Sequence, residues 1–238
     1  MGCNDKSTAP VETINPSDKY TLAWSDEFNG TTLDTIKWYY RDLGPRLKAI
    51  NVKNAVSLDG SGHLIIRTFT DGNNFYTGMI STQNKFENTF GYWECRMKMQ
   101  KQQGHWSAFW LQSPDIGSVI GNPALSGTEI DIVEYATIMG NAVEHAIHWD
   151  GYGQYEKVER GITTVQDITS NYQTFGLEWT KNEYIFYVNG KETWRTSSAI
   201  SFRPEYIILS LEVDDWAGDI SQAVLPDSLY VDYVRVYQ

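Results

Sequence analysis

The stretch Gly127-Thr128-Glu129-Ile130-Asp131-Ile132-Val133-Glu134-Tyr135 fits few folded contexts. Acids interleave with β-branched apolar residues, so the segment reads as a strand with one wet face. On a regular strand Glu129, Asp131 and Val133 would share a face, and Glu134 would point into the core. One inserted residue, a β-bulge, restores the phase and brings Glu134 to the side of Glu129 and Asp131. Gathering three like charges costs stability, which points to chemistry at this place. A solvated acidic face or a calcium site competes with that interpretation.

The rest of the chain supports a β context. Short runs rich in Val, Ile, Tyr and Phe recur between turn signals: Leu64-Ile65-Ile66, Phe175-Gly176-Leu177, Tyr184-Ile185-Phe186-Tyr187-Val188, Tyr206-Ile207-Ile208-Leu209 and Tyr230-Val231-Asp232-Tyr233-Val234. Asn189-Gly190 after Tyr187-Val188 is a strong hairpin signal. Helical periodicity is scarce. The expectation is an all-β sandwich with antiparallel sheets, and 238 residues favour a jelly roll over a smaller sandwich. Residues 1–19 read as a polar tail and 20–238 as one domain. Cys95 lies on the apolar face of its strand and is expected to be an inert core thiol. Cys3, in Met1-Gly2-Cys3 before a polar stretch, resembles a lipoprotein attachment point, so an exported bacterial protein anchored through Cys3 is expected.

Charge and composition narrow the partners. Lys+Arg is 19 and Asp+Glu is 30, so the net charge is −11. That excludes nucleic acid as a natural partner. No apolar run reaches membrane-spanning length. The chain carries 9 Trp, 15 Tyr and 9 Phe. An acidic, Trp-rich surface suits something flat, uncharged and hydroxylated, such as a sugar. No glycine-rich nucleotide motif, zinc-spaced Cys/His set or serine elbow is present.

Two carboxyl groups flanking a glycosidic bond are the working parts of most glycosidases, roughly 5–5.5 Å apart when configuration is retained. Glu129 and Glu134 are candidates for that pair. Asp131 between them can orient one and share a proton with the other. Trp106 and Trp110 are four apart on a strand pattern and share a face, as sugar-stacking residues would. Glu94 and Arg96 oppose the apolar stripe of their strand and are expected to face solvent or the cleft. Trp216, in a polar loop, is a candidate subsite wall.

Several ordered segments resemble glycoside hydrolase family 16. Glu-Ile-Asp-Ile-Val-Glu at 129–134 is similar to its bulged E-x-D-x-x-E signature. Trp24-Ser25-Asp26-Glu27-Phe28 resembles its opening strand, Phe90-Gly91-Tyr92-Trp93-Glu94-Cys95-Arg96 a second one, and Val231 to Tyr237 the last. Gly104-His105-Trp106-Ser107-Ala108-Phe109-Trp110-Leu111 resembles the family's GxWPAFW segment, with Ser107 where Pro is usual. The resemblance implies a concanavalin A-like jelly roll with an open cleft on its concave sheet. It implies endo-acting, retaining hydrolysis of a β-linked polysaccharide, with Glu129 as nucleophile, Asp131 as assisting acid and Glu134 as acid/base. It places His148 near the acids. It also implies a structural calcium, bound by Asp232 with a Gly60 carbonyl; catalysis itself needs no cofactor.

A neutral β-1,3- or β-1,3/1,4-glucan is the first expected substrate. Leu209-Ser210-Leu211-Glu212-Val213-Asp214 departs from the glucanase pattern, and Glu212 is a candidate for reading a different hydroxyl. A β-galactan is therefore the alternative. A sulfated chain is disfavoured by the acidic balance and by the lack of clustered Arg and Lys in the sequence. A transglycosylase and a non-catalytic lectin-like module are the remaining alternatives. A monomer is expected.

Overall fold

A computed structural model describes residues 15–238. Two antiparallel sheets pack face to face. One runs Lys157–Thr164, Ala142–Trp149, Glu129–Ala136, His105–Gln112, Glu205–Val213, Asn74–Ser81 and Tyr39–Tyr40 in spatial order. The other places Leu64–Asp71 and Leu22–Asp26 beside Asp227–Tyr237, followed by Gly91–Lys98, Gln173–Trp179, Tyr184–Val188 and Lys191–Thr196. The hairpin of Leu64–Asp71 and Asn74–Ser81 passes from one sheet to the other. This is the expected jelly-roll sandwich. No helix among the described residues is long and apolar enough to cross a membrane.

Alternation explains the layering. Trp93, Cys95 and Met97 of one sheet meet Phe109, Leu111, Ile130, Leu209 and Leu211 of the other in a fully buried core. Cys95 is a free, buried thiol. Asn189 and Gly190 both take positive φ, 51° and 73°, the backbone that a two-residue hairpin turn requires. Cys3 lies outside the described residues. The turn Pro16–Lys19, which the sequence places in the tail, docks on the domain through a Lys19–Glu178 ion pair of 3.0 Å.

The bulge is present. Asp131 and Glu134 pair with Ala146 and Glu144 on one neighbour, so three steps on the acid strand match two. On the other side Asp131 and Val133 pair with Trp110 and Phe109. Ile132 and Val133 both enter the core, and the next residue, Glu134, returns to the face of Glu129 and Asp131. The carbonyl of Ile132 accepts a 2.7 Å hydrogen bond from Nδ1 of the fully buried His145. The His145 Nε2 faces the Thr163 hydroxyl at 3.0 Å. Burial pushes the imidazole down to about 4, although the Ile132 carbonyl favours its charge.

His145 therefore makes stability depend on pH. Its folded pKa lies below its unfolded value near 6.5, so the unfolded chain binds the extra proton between those values. The stabilisation is full above pH 6.5 and falls by about 3 kcal/mol as pH drops toward 4. His145→Leu should cost about 1–3 kcal/mol at pH 7, because the Ile132 carbonyl loses its donor, and should flatten that acid slope. Urea unfolding at pH 7 and 4.5 checks both; parallel acid losses in parent and variant would exclude His145 as the group responsible.

Candidate active site

Glu129, Asp131 and Glu134 line one groove on the outer face of the sheet built around the acid strand. Two hollows meet at these carboxylates. One, of 380 Å³, is walled by Met139, Glu144, His148, Arg160 and Trp216. The other, of 410 Å³, is walled by Trp106, Trp110, Gln112, Tyr152, Glu212, Arg41 and Arg46. The groove continues to both sides of the acids, as an internal segment of a polymer requires.

Each acid has distinct partners. Oε2 of Glu129 accepts from the Gln112 amide at 3.1 Å and from the Tyr152 hydroxyl. Asp131 lies 3.3 Å from Nε2 of His148, whose Nδ1 is 2.8 Å from Glu156. Oε1 of Glu134 accepts from the Trp106 indole at 3.1 Å. Burial, then the Asp131 charge, pushes Glu129 up to about 7. Burial with the Asp131 and Glu129 charges drives Glu134 well above the carboxylate range. Glu129, with two side-chain donors, is the more readily ionised; Glu134 keeps its proton. That asymmetry separates a nucleophile from an acid. Burial opposes the charge on His148, yet Asp131, Glu129 and Glu156 together raise it to about 9, so it stays cationic at neutral pH and offsets part of the negative charge.

Donor atoms of Glu129, Asp131 and His148 lie within 4.8 Å of one another. His148 turns Nε2 toward Asp131, so the same three groups that share a hydrogen-bond contact are also spaced for one cation. At the position where calcium was expected, Oδ2 of Asp232 bonds the Arg96 guanidinium.

The sequence profile of glycosyl hydrolases family 16 matches residues 46–235. The chain belongs to this family. It is 31% identical to the keratan-sulfate endo-1,4-β-galactosidase of Sphingobacterium multivorum, over 92% of this chain and 55% of that protein. It is 28% identical to glucan endo-1,3-β-glucosidase A1 of Niallia circulans, over 91% and 38%. It thus spans about half or less of these relatives. The laminarinase of Flavobacterium sp. UMI-01 superposes with a TM-score of 0.75 at 25% identity, covering 92% of this chain and all of that one. Another similar structure is the laminarinase catalytic domain of Thermotoga petrophila RKU-1, with a TM-score of 0.78, 25% identity and coverage of 92% and 98%.

Within this family 16 fold the expected residues divide. Trp106, Trp110, His148, Glu212 and Trp216 join the three acids. Trp106 and Trp216 pack at 4.9 Å between ring centroids, and the Trp110 indole donates to Ser210 at 3.1 Å. Glu94 and Arg96 do not join them. Their strand lies in the opposite sheet, and its solvent face is the far side of the sandwich. Glu94 is buried there against the Tyr237 hydroxyl at 3.2 Å, and Arg96 pairs with Asp232. Alternation revealed that both side chains leave the core, but not toward which surface.

Several groove residues escaped sequence reasoning: Gln112, Tyr152, Arg41 and Arg46 in one hollow, and Met139, Glu144 and Arg160 in the other. Gln112 continues the Trp106, Ala108, Trp110 alternation and was findable. Arg41 and Tyr152 come from irregular segments, and Arg46 from a three-residue strand too short to show a period. Arg41 and Arg46 bring two guanidinium groups to the groove, and Arg46 Nε bonds Glu212 at 2.5 Å.

Trp106→Phe keeps a ring but removes the N–H at Glu134. An indole only donates and so favours the carboxylate. Its loss should raise the Glu134 pKa and move the alkaline limb of the kcat/KM profile upward; an unmoved limb on a cleaved polysaccharide would exclude this contact as a control on the acid.

Proposed function

We propose that this chain is an endo-acting, retaining β-glycanase working by double displacement. The observation that carries this is the bulge, which sets Asp131 and two glutamates of unequal proton affinity on the floor of a groove running past them in both directions. Protonated Glu134 gives its proton to the glycosidic oxygen while Glu129 attacks the anomeric carbon. The C–O bond breaks, one saccharide leaves, and a glycosyl ester forms on Glu129. Glu134, now ionised, takes a proton from water, whose oxygen attacks the same carbon and frees Glu129. Asp131, paired with His148, stands between the two glutamates and holds their geometry. Trp106, Trp110 and Trp216 offer ring surface to the sugars.

For the substrate, the family's glucanases make a β-glucan the first reading. The groove floor supports a β-galactosidic backbone better. Glu212 and Arg46 form a charged pair in the hollow beside Trp106 and Trp110. Such a pair supplies both acceptor and donor to an axial hydroxyl, which glucose lacks. The named activity of the Sphingobacterium relative supports the same backbone. The two arginines on the floor, Arg46 paired with Glu212, weaken but do not cancel the case that net charge makes against a sulfated chain.

A panel of laminarin, mixed-linkage glucan, β-1,3-galactan and keratan sulfate tests this. New reducing ends are expected, as internal fragments, most rapidly from a galactose-containing chain. NMR of the first products should show the β-anomer. Glu129→Gln and Glu134→Gln should each lower kcat about a thousandfold or more while the fold is kept. Binding without any new reducing ends would instead identify a lectin-like module, and α-anomer first would exclude the covalent ester.

Trp216 is 43% exposed at the rim of one hollow. Trp216→Ala should raise KM several-fold with a smaller change in kcat, since stacking on a distant sugar serves ground state and transition state alike. Equal losses in both would place Trp216 closer to the reacting bond.

A further inference from the structure

We infer that Gln112 is a positioning residue for the nucleophile: Arg41 and Tyr206 lock its amide so that both of its N–H groups face Glu129 and the Tyr152 hydroxyl beside it. This rests on the assignment of Glu129 above.

Tyr206, Gln112, Glu129 and His148 are successive cross-strand partners over four neighbouring strands. They form one row across the groove floor. The middle of the row has a single consistent hydrogen-bond pattern. Gln112 Oε1 accepts from Arg41 Nη2 at 2.9 Å and from the Tyr206 hydroxyl. Its Nε2 donates to Glu129 Oε2 at 3.1 Å and to the Tyr152 hydroxyl, which itself donates to the same Oε2. A guanidinium has no acceptor, so the amide oxygen must face Arg41 and the nitrogen must face Glu129. Flipping the amide would set N–H against N–H on one side and oxygen against carboxylate on the other. Arg41 is itself held, its Nη1 lying 3.2 Å from Gln83 Oε1, 3.2 Å from the Tyr39 hydroxyl and 3.3 Å from that of Tyr206.

This lock has two consequences. Both donated bonds fall on Oε2, which leaves Oε1 as the attacking oxygen. Donors to a carboxylate also favour its charged form. The groups acting on Glu129 come from every side. Asp131 and Glu134 on its own strand and the buried Glu205 oppose its ionisation; His148 on the next strand favours it, as do Tyr152 beyond that strand and Gln112 with Arg41 and Tyr206 behind it. Gln112 is the one group here that links the distant arginine to the nucleophile without carrying charge itself.

The test is a carboxyl titration by NMR on protein labelled with ¹³Cδ-glutamate, with the Glu129 signal assigned by its loss in Glu129→Gln. Gln112→Leu should raise the Glu129 midpoint by about one pH unit. It should also lower kcat/KM about tenfold to a hundredfold on the better of laminarin and keratan sulfate, and move the acid limb of the profile upward. Arg41→Met and Tyr206→Phe should shift the midpoint the same way by less, and Arg41→Lys should restore part of the shift. Adding Arg41→Met to Gln112→Leu should give little further change, because both act through one amide. An unmoved or lowered midpoint in folded Gln112→Leu overturns the proposal; if that variant does not fold, an unmoved midpoint in Tyr206→Phe does so. If the midpoint responds to Gln112 but Glu129→Gln still hydrolyses, the assignment of Glu129 as nucleophile fails and with it the positioning role.

Discussion

Between Asp131 and Glu134 the acid strand carries one residue more than either neighbour, and the site depends on that surplus. Without it Glu134 would enter a core made of Phe109, Leu111 and Val143, and Val133 would lie among carboxylates. With it, Ile132 and Val133 both pack inside while three acids share the groove. A bulge leaves ladder groups in need of partners, and the Ile132 carbonyl finds one in a histidine that burial keeps neutral. The apolar residues next to the bulge offset part of the cost of crowding like charges directly above them.

Crowding alone would not assign roles to three similar acids. Burial raises both glutamates, and each adds to the other's difficulty in ionising. The difference comes from their neighbours. Glu129 receives an amide N–H and a phenol on one oxygen, whereas Glu134 receives one indole N–H. Asp131 has the cationic His148 beside it. The proton therefore rests on Glu134 because its surroundings offer a negative charge the least help, not because of its own chemistry.

Much of this could be read along the chain. The two-residue period gave the strands, the Asn189-Gly190 hairpin and the inward Cys95, and the broken phase at Val133-Glu134 required a bulge. The same period put Trp106 and Trp110 on one face and turned Glu212 out of the core, and the structure joins them because their strands are neighbours and in register. It could not separate that surface from the opposite one. Glu94 and Arg96 alternate just as regularly, but their strand belongs to the other sheet, and sheet membership is set by long-range pairing. Arg41 and Arg46 were illegible for another reason. One precedes and one ends a short stretch whose three-residue strand carries no readable period, and only the return of that stretch across the groove brings them beside Glu212, Gln112 and Tyr206.

Those two arginines also change how the net charge of −11 bears on the substrate. Charges more than a Debye length away, about 8–10 Å at ordinary ionic strength, are largely screened. Recognition inside a groove is decided by the few groups that touch the ligand. Here Arg46 is matched by Glu212, with Asp42 nearby, and Arg41 is turned mainly to neutral acceptors. The floor is thus close to neutral but dense in oriented donors and acceptors. Such a surface discriminates hydroxyl configuration more strongly than charge, because a misplaced hydroxyl would leave one of these buried groups unpaired. The net charge of the chain is therefore no argument for or against a polymer whose charged groups point out of the groove.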